Sequence, residues 1–173
     1  GGFNMIEILY VALAIVVLLV QLTVKKHRAL SGIGVMHSLI SLVITIILLG
    51  NPGIWDESVF LHIDHLSLFI MLITGIIFTM ASIYAVGYID GLVKAGDLDR
   101  RSLRIFYFGF SLLLLVTTMA LFSPDIALFW IFAELTTILS ALLIAILALR
   151  ATIDASLKYI FICSTSMLFS FIG

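Results

Sequence analysis

The sequence predicts an all-α polytopic membrane protein of about six transmembrane helices. Two observations carry this. The 173 residues are 63% apolar and only 11% charged, against about 25% charged in an average soluble domain, and mean hydropathy is +1.30. The apolar residues also run continuously in stretches long enough to cross a hydrocarbon layer about 30 Å thick, which takes about 20 helical residues. Strict alternation, the mark of a membrane β-barrel, is absent from these runs. Backbone polar groups in lipid must be satisfied within the segment, which leaves helices.

Six stretches qualify: about 5–24, 30–50, 65–89, 104–122, 125–149 and 153–173. Gly1 to Asn4 read as a short tail or cloning remnant, and Met5 onward as a single helical membrane domain. The first stretch lacks a basic leader and is followed by Lys25, Lys26 and Arg28 rather than a small-residue cleavage site, so it reads as a retained helix. Asn51-Pro52-Gly53 breaks the chain after the second stretch. His62, Asp64 and His65 cluster before the third; that spacing can bind a metal, but a helix cap at the interface is the expected role. Asp90, Lys94, Asp97, Asp99, Arg100 and Arg101 mark a solvated connection, or a docking surface, between the third and fourth. Ser123-Pro124-Asp125 supplies an N-cap candidate, a proline and an acid at the start of the fifth. Asp154 suits the positive dipole end of the sixth. Trp55 and Trp130 fall where aromatic belts lie.

Eight of the nine Lys and Arg residues fall in the loops after stretches one, three and five, Arg150 being the last of them. The intervening loops carry none. The positive-inside rule makes the basic side cytoplasmic and puts both termini outside. Net charge is −1, and no basic arm interleaved with aromatics suggests nucleic acid. Cys163 is the single cysteine, which excludes a disulfide or a multi-cysteine metal site within one copy. No catalytic triad, phosphate loop, haem pair or zinc pattern is present.

The ninth basic residue is Lys158, inside the sixth stretch, and Glu134 lies nine residues into the fifth. At 1.5 Å per residue these are depths of roughly 13 Å for Glu134 and roughly 9 Å for Lys158, from opposite sides. A charge at that depth costs about 3 kcal/mol on insertion scales. Ionisable residues in spans more often mark transport paths than packing, so an acid and a base on consecutive helices suggest a route for protons or cations. A carboxyl and an amine whose coupling changes with distance or hydration can alternately hold and release a proton. The competing reading is a buried ion pair that fixes helix register, and Lys158 by itself can snorkel to the interface. At 100° per residue Ala127, Ala141 and Ala145 share the Glu134 face and permit close helix approach. Thr165 and Ser166 share the Lys158 face and are candidate relays. His37, near Ser38 and Ser41, is either a satisfied interior histidine or a third relay.

Four segments resemble one family. They are Asp64-His65-Leu66-Ser67-Leu68-Phe69; Tyr84-Ala85-Val86-Gly87-Tyr88; Phe129-Trp130-Ile131-Phe132-Ala133-Glu134-Leu135-Thr136; and Ala155-Ser156-Leu157-Lys158-Tyr159 with the Ile-Phe-Ile-Cys163-Ser164 that follows. The family is the antiporter-like, proton-conducting membrane subunits of respiratory complex I, of hydrogenase-4-type energy-converting hydrogenases and of multisubunit cation/proton antiporters. The hydrogenase-4-type branch is the nearest in wording. The resemblance runs from about residue 55 to the end. It implies that Glu134 is the fifth-helix glutamate and Lys158 the sixth-helix lysine that couple redox changes to proton movement. It also implies no cofactor of its own, partner membrane subunits that carry the electron transfer, and a bacterial or archaeal plasma membrane. Members have about fourteen helices in two inverted repeats, so the chain matches only part of one half-channel and is expected to be a fragment or a split subunit. Three functions compete: a proton-translocating subunit of a redox complex, a subunit of a Na+/H+ antiporter, and a non-conducting structural module.

Overall fold

The computed structural model describes residues 5–54, 61–147 and 151–173. The proposed tail, Trp55 and Arg150 lie outside the described residues. Six helices follow one another: α1 (Met5–Thr23), α2 (His27–Gly50), α3 (His65–Ala95), α4 (Arg100–Leu121), α5 (Ile126–Leu147) and α6 (Ala151–Ile172), with one 3-10 turn at Pro52–Ile54 between α2 and α3. All six are long and apolar enough to cross a membrane, and the described residues contain no strand. The protein is an integral membrane protein with the all-α fold the composition predicts.

Local chemistry sets the helix ends. Asp64 caps α3, its Oδ1 accepting from the Ser67 amide at 2.6 Å, so the His62–His65 cluster does act as a cap. The Ser67 bonds hold the Asp64 carboxyl below the usual carboxylate range, helped by nearby His62. Asp99 caps α4 in the same way through the Ser102 amide at 3.1 Å. The third helix runs past the expected residue 89 to Ala95 and stops where Gly96 takes φ 78°, a left-handed turn that favours glycine. Its 31 residues span about 46 Å, so its last turns stand clear of the hydrocarbon. At α5 the cap is displaced from the expected serine. Asp125 accepts from the Leu128 amide at 2.9 Å, while Ser123 turns back to the Met119 carbonyl of α4 at 2.7 Å. Ser123 lies two residues before Asp125, so Asp125 is the side chain placed one turn from the first free amides.

Helix α4 is the hub. It packs against α1, α2, α3 and α5, and α2 packs on α3. Half of α4's apolar stretch is buried, against 6% of α6's. Helix α6 touches only α5 among the described elements, so α5 and α6 form a hairpin on the flank of an α1–α4 bundle. Large side chains such as Leu9, Ile46, Met80, Phe161 and Phe169 face outward, as only a lipid solvent tolerates in such numbers.

The interior of the bundle sets a polar stripe beside its apolar core. Buried positions on α2 are Leu30, Ser31, Gly34, His37, Ser38, Ser41, Thr45 and Leu48. Those on α1 include Glu7, Tyr10, Ala14 and Gln21. The Tyr10 hydroxyl meets Thr118 Oγ1 at 2.8 Å and Ser41 Oγ at 3.2 Å, tying α1, α2 and α4. Gln21 donates to Ser111 at 2.9 Å; Ser31 meets Tyr107 at 2.6 Å; Ser38 meets Ser82 at 2.8 Å. Between lipid-exposed helices there is no hydrophobic driving force, so close packing of small residues and such bonds hold the bundle. The α2–α3 approach is tight at Gly75, where a Cβ would lie 3.0 Å from Leu42 Cδ1.

Candidate functional site

Glu134 lies nine residues beyond the Asp125 cap of α5, roughly 13 Å along the axis. Its side chain is half-buried and turned toward α6. Ser164 Oγ donates to Glu134 Oε2 at 2.8 Å. The other carboxylate oxygen, Oε1, is buried without a hydrogen-bond partner among the described residues. One turn earlier on α5, Trp130 Nε1 is also buried and unpartnered. The Trp130 ring packs on Phe171 of α6 with centroids 5.4 Å apart, closing the α5–α6 seam toward the ends of these helices, where a belt tryptophan is expected. Trp130, Glu134, Ser164 and Thr165 line an open groove of about 640 Å³, with Ile160 and Phe161 as apolar walls. Trp130 Nε1 and Glu134 Oε1 are thus covered by protein, while their residues line the groove with Ser164 and Thr165.

Lys158 stands on the same helix as Ser164 but not on the same side. Six residues separate them, which is roughly 9 Å along the axis and 240° of rotation, or 120° by the shorter way round. The hydroxyl that faces Glu134 therefore turns the ammonium away. Lys158 is exposed and makes no ion pair among the described residues. Thr165 lines the groove and donates to the Phe161 carbonyl at 2.7 Å. Ser166 is exposed and donates to the Ile162 carbonyl at 2.8 Å. Of the alanines expected beside Glu134, Ala141 is fully buried and Ala145 half-buried, whereas Ala127 is exposed.

His37 belongs to a different region. It is 1% exposed in the α1–α4 bundle, and both ring nitrogens lack a partner among the described residues. Helix α2 packs against neither α5 nor α6, so the histidine and the glutamate are not neighbours through those helices. The structure brings together Glu134, Ser164 and Thr165; it leaves Lys158 and Ser166 facing outward and His37 apart.

Sequence reasoning missed Ser164, the direct partner of Glu134, and the buried polar set of Glu7, Tyr10, Gln21, Ser111 and Thr118. A signal for the second was present. Glu7, Tyr10, Ala14 and Gln21 follow at steps of three, four and seven residues, and Ser31, Gly34, Ser38, Ser41 and Thr45 at steps of three and four. A small or polar stripe on an apolar helix marks the side that meets protein.

The chain is 26% identical, over 136 residues, to a protein of Methylacidiphilum infernorum (isolate V4) described as a hydrogenase-4 component F homolog. The match covers 79% of this chain and 28% of that protein, so the chain spans less than a third of the relative's length. No family model matches the sequence, and no solved structure matches it significantly.

Proposed function

We propose that this chain is a proton-translocating membrane subunit of a hydrogenase-type, complex I-like redox complex, with Glu134 as its proton-binding group. The observation that carries the reading is Glu134 itself: an acid well inside an apolar span, held by one hydroxyl, with its second oxygen buried and unpartnered among the described residues beside a groove that the residue lines. The similarity to a hydrogenase-4 component homolog supports the kind of assembly. Electron transfer belongs to partner subunits, and the chain needs no cofactor of its own.

The chemistry follows from the contacts. Ser164 donates to Oε2, and Oε1, which has no partner among the described residues, is the oxygen that takes and gives up the proton. When Glu134 is protonated, its O–H becomes a donor and the Ser164 hydroxyl can reverse, so the pair passes a proton along the seam. Thr165 extends the hydroxyl lining. Lys158, on the other side of α6, acts through space rather than by contact. Two unit charges roughly 10 Å apart interact by on the order of 1–2 kcal/mol at an effective dielectric of 20. A neighbour that covers or uncovers Lys158 would therefore bias the charge state of Glu134. His37 serves as a relay in the α1–α4 bundle.

The membrane is the plasma membrane of a prokaryote, with the Lys25, Lys94 and Arg100 side cytoplasmic. Lipid contact along α6 and a cation facing outward at that depth support a covering partner, another membrane subunit or further helices.

The test is Glu134→Gln in the assembled complex. The amide keeps an acceptor for Ser164 and removes the titration. Assembly should persist while protons moved per electron, measured by dye quenching in membrane vesicles, fall at least severalfold. A normal ratio sinks the proposal, and quenching that needs sodium but no electron donor would replace it with the antiporter reading.

A further inference from the structure

At the membrane face that carries the basic loops, the α1–α2 and α3–α4 connections enclose a cavity of about 510 Å³. Lys25, Lys26, Arg28 and Arg100 line it, with Leu98 and Leu103 among its apolar walls. No carboxylate is in the lining. Two nearby acids are engaged elsewhere, Asp90 with Lys94 at 2.7 Å and His27 at 3.2 Å, and Asp99 as the α4 cap through Ser102; Asp97, also in the α3–α4 connection, lies outside the lining. None of the four cations makes an ion pair among the described residues. Four positive side chains thus line one cavity whose lining holds no counter-charge.

We infer that this cavity binds the phosphate headgroup of an anionic phospholipid. The chemistry requires a compact anion, because uncompensated like charges repel and an anion among them relieves the repulsion at each. The position selects a lipid. The cavity lies where four membrane helices end, at the level of headgroups, and its leucine walls suit the glycerol and first methylenes of a lipid rather than a hydrated ion. Basic pockets between helices at this level are recurrent lipid sites. The N-terminus of α2 adds to the field: Lys26 is its N-cap and supplies no side-chain bond, and no acid lies in the first turn. The site shares no lining residue with the groove at Glu134 and does not depend on the proton reading.

The experiment uses the full chain in a neutral detergent, titrated with phosphatidylglycerol, phosphatidylcholine or inorganic phosphate and read by native mass spectrometry and melting temperature. Phosphatidylglycerol should be retained and stabilising, phosphatidylcholine should not, and inorganic phosphate at the same concentration should have little effect. Lys26→Gln and Arg100→Gln should each weaken phosphatidylglycerol binding about fivefold, the equivalent of about 1 kcal/mol per cation near an anionic headgroup. Added salt should weaken it further. Arg101→Gln, outside the lining, should stay within about twofold. Circular dichroism checks that each variant is folded. Equal retention of both lipids, or unchanged binding in the two variants, overturns the inference. Inorganic phosphate binding as tightly as the lipid overturns it in favour of a free anion.

Discussion

Replacing Tyr10 by Phe removes one oxygen and leaves the ring in place, so it isolates the bond that joins three helices. In the structure that hydroxyl meets Thr118 at 2.8 Å and Ser41 at 3.2 Å, and its residue is only 8% exposed. Side-chain hydrogen bonds between membrane helices average about 0.6 kcal/mol and reach about 1.7. Two of them set a range from about 1 to about 3 kcal/mol. The lower end applies here, because Thr118 Oγ1 also donates to the Leu114 carbonyl at 2.9 Å and is not stranded when Tyr10 leaves. We therefore expect Tyr10→Phe to lose about 1 kcal/mol of unfolding free energy, measured by titration with sodium dodecyl sulfate in mixed micelles and followed by far-ultraviolet circular dichroism. A cycle with Thr118→Ala should return a coupling of about 0.5–1 kcal/mol. Tyr159→Phe, at a side chain 42% exposed, should change stability by less than about 0.5 kcal/mol. A Tyr10→Phe variant as stable as the parent, or a cycle with no coupling, would refute the view that buried polar pairs hold the α1–α4 bundle together.

Two further outcomes follow from local geometry. Gly75→Leu places carbon where Leu42 Cδ1 lies 3.0 Å and Leu42 Cα 3.5 Å from the new Cβ; α2 and α3 must separate, and the same micelle titration should show a loss of about 1–3 kcal/mol. Asp64→Ala should cost about 1 kcal/mol through loss of the α3 cap. The Asp64 carboxyl titrates below its usual range because Ser67 bonds the charged form, so its contribution is complete above the unfolded value of about 3.9 and fades as pH falls through the lower folded value. The difference between parent and Asp64→Ala should thus be constant from neutral pH to about pH 5 and shrink below about pH 4; a difference that shrinks at higher pH contradicts the assignment.

Much of the fold was legible before any coordinates. Each span announces itself by length and hydropathy, since a helix in lipid must satisfy its own backbone. Each cap depends on side chains within four residues, as Asp64 with Ser67 and Asp99 with Ser102 do. The acid at 134 was conspicuous because charge at that depth is costly. Ser123 was misplaced because the motif Ser-Pro-Asp offers two capping oxygens, and the choice depends on where α4 ends: the Met119 carbonyl takes the serine.

The small and polar stripes of α1 and α2 mark their inward faces; what the chain could not reveal by itself is which helix each face meets, and which way α5 and α6 turn about their axes. In water an apolar stripe points to the core. In lipid both sides of a span are apolar, so hydropathy constrains depth and leaves rotation to packing. The small residues of α2 fix its inward face through Tyr10, Tyr107 and Ser82 on three other helices, contacts between positions up to 76 residues apart. The same freedom decides the candidate site. Lys158 is offset from Glu134 in both depth and azimuth: Ser164, six residues on and roughly 9 Å along the axis, takes the place beside the acid, because α5 and α6 meet along the Ser164 side. Depth follows from composition; azimuth follows from which surfaces interlock.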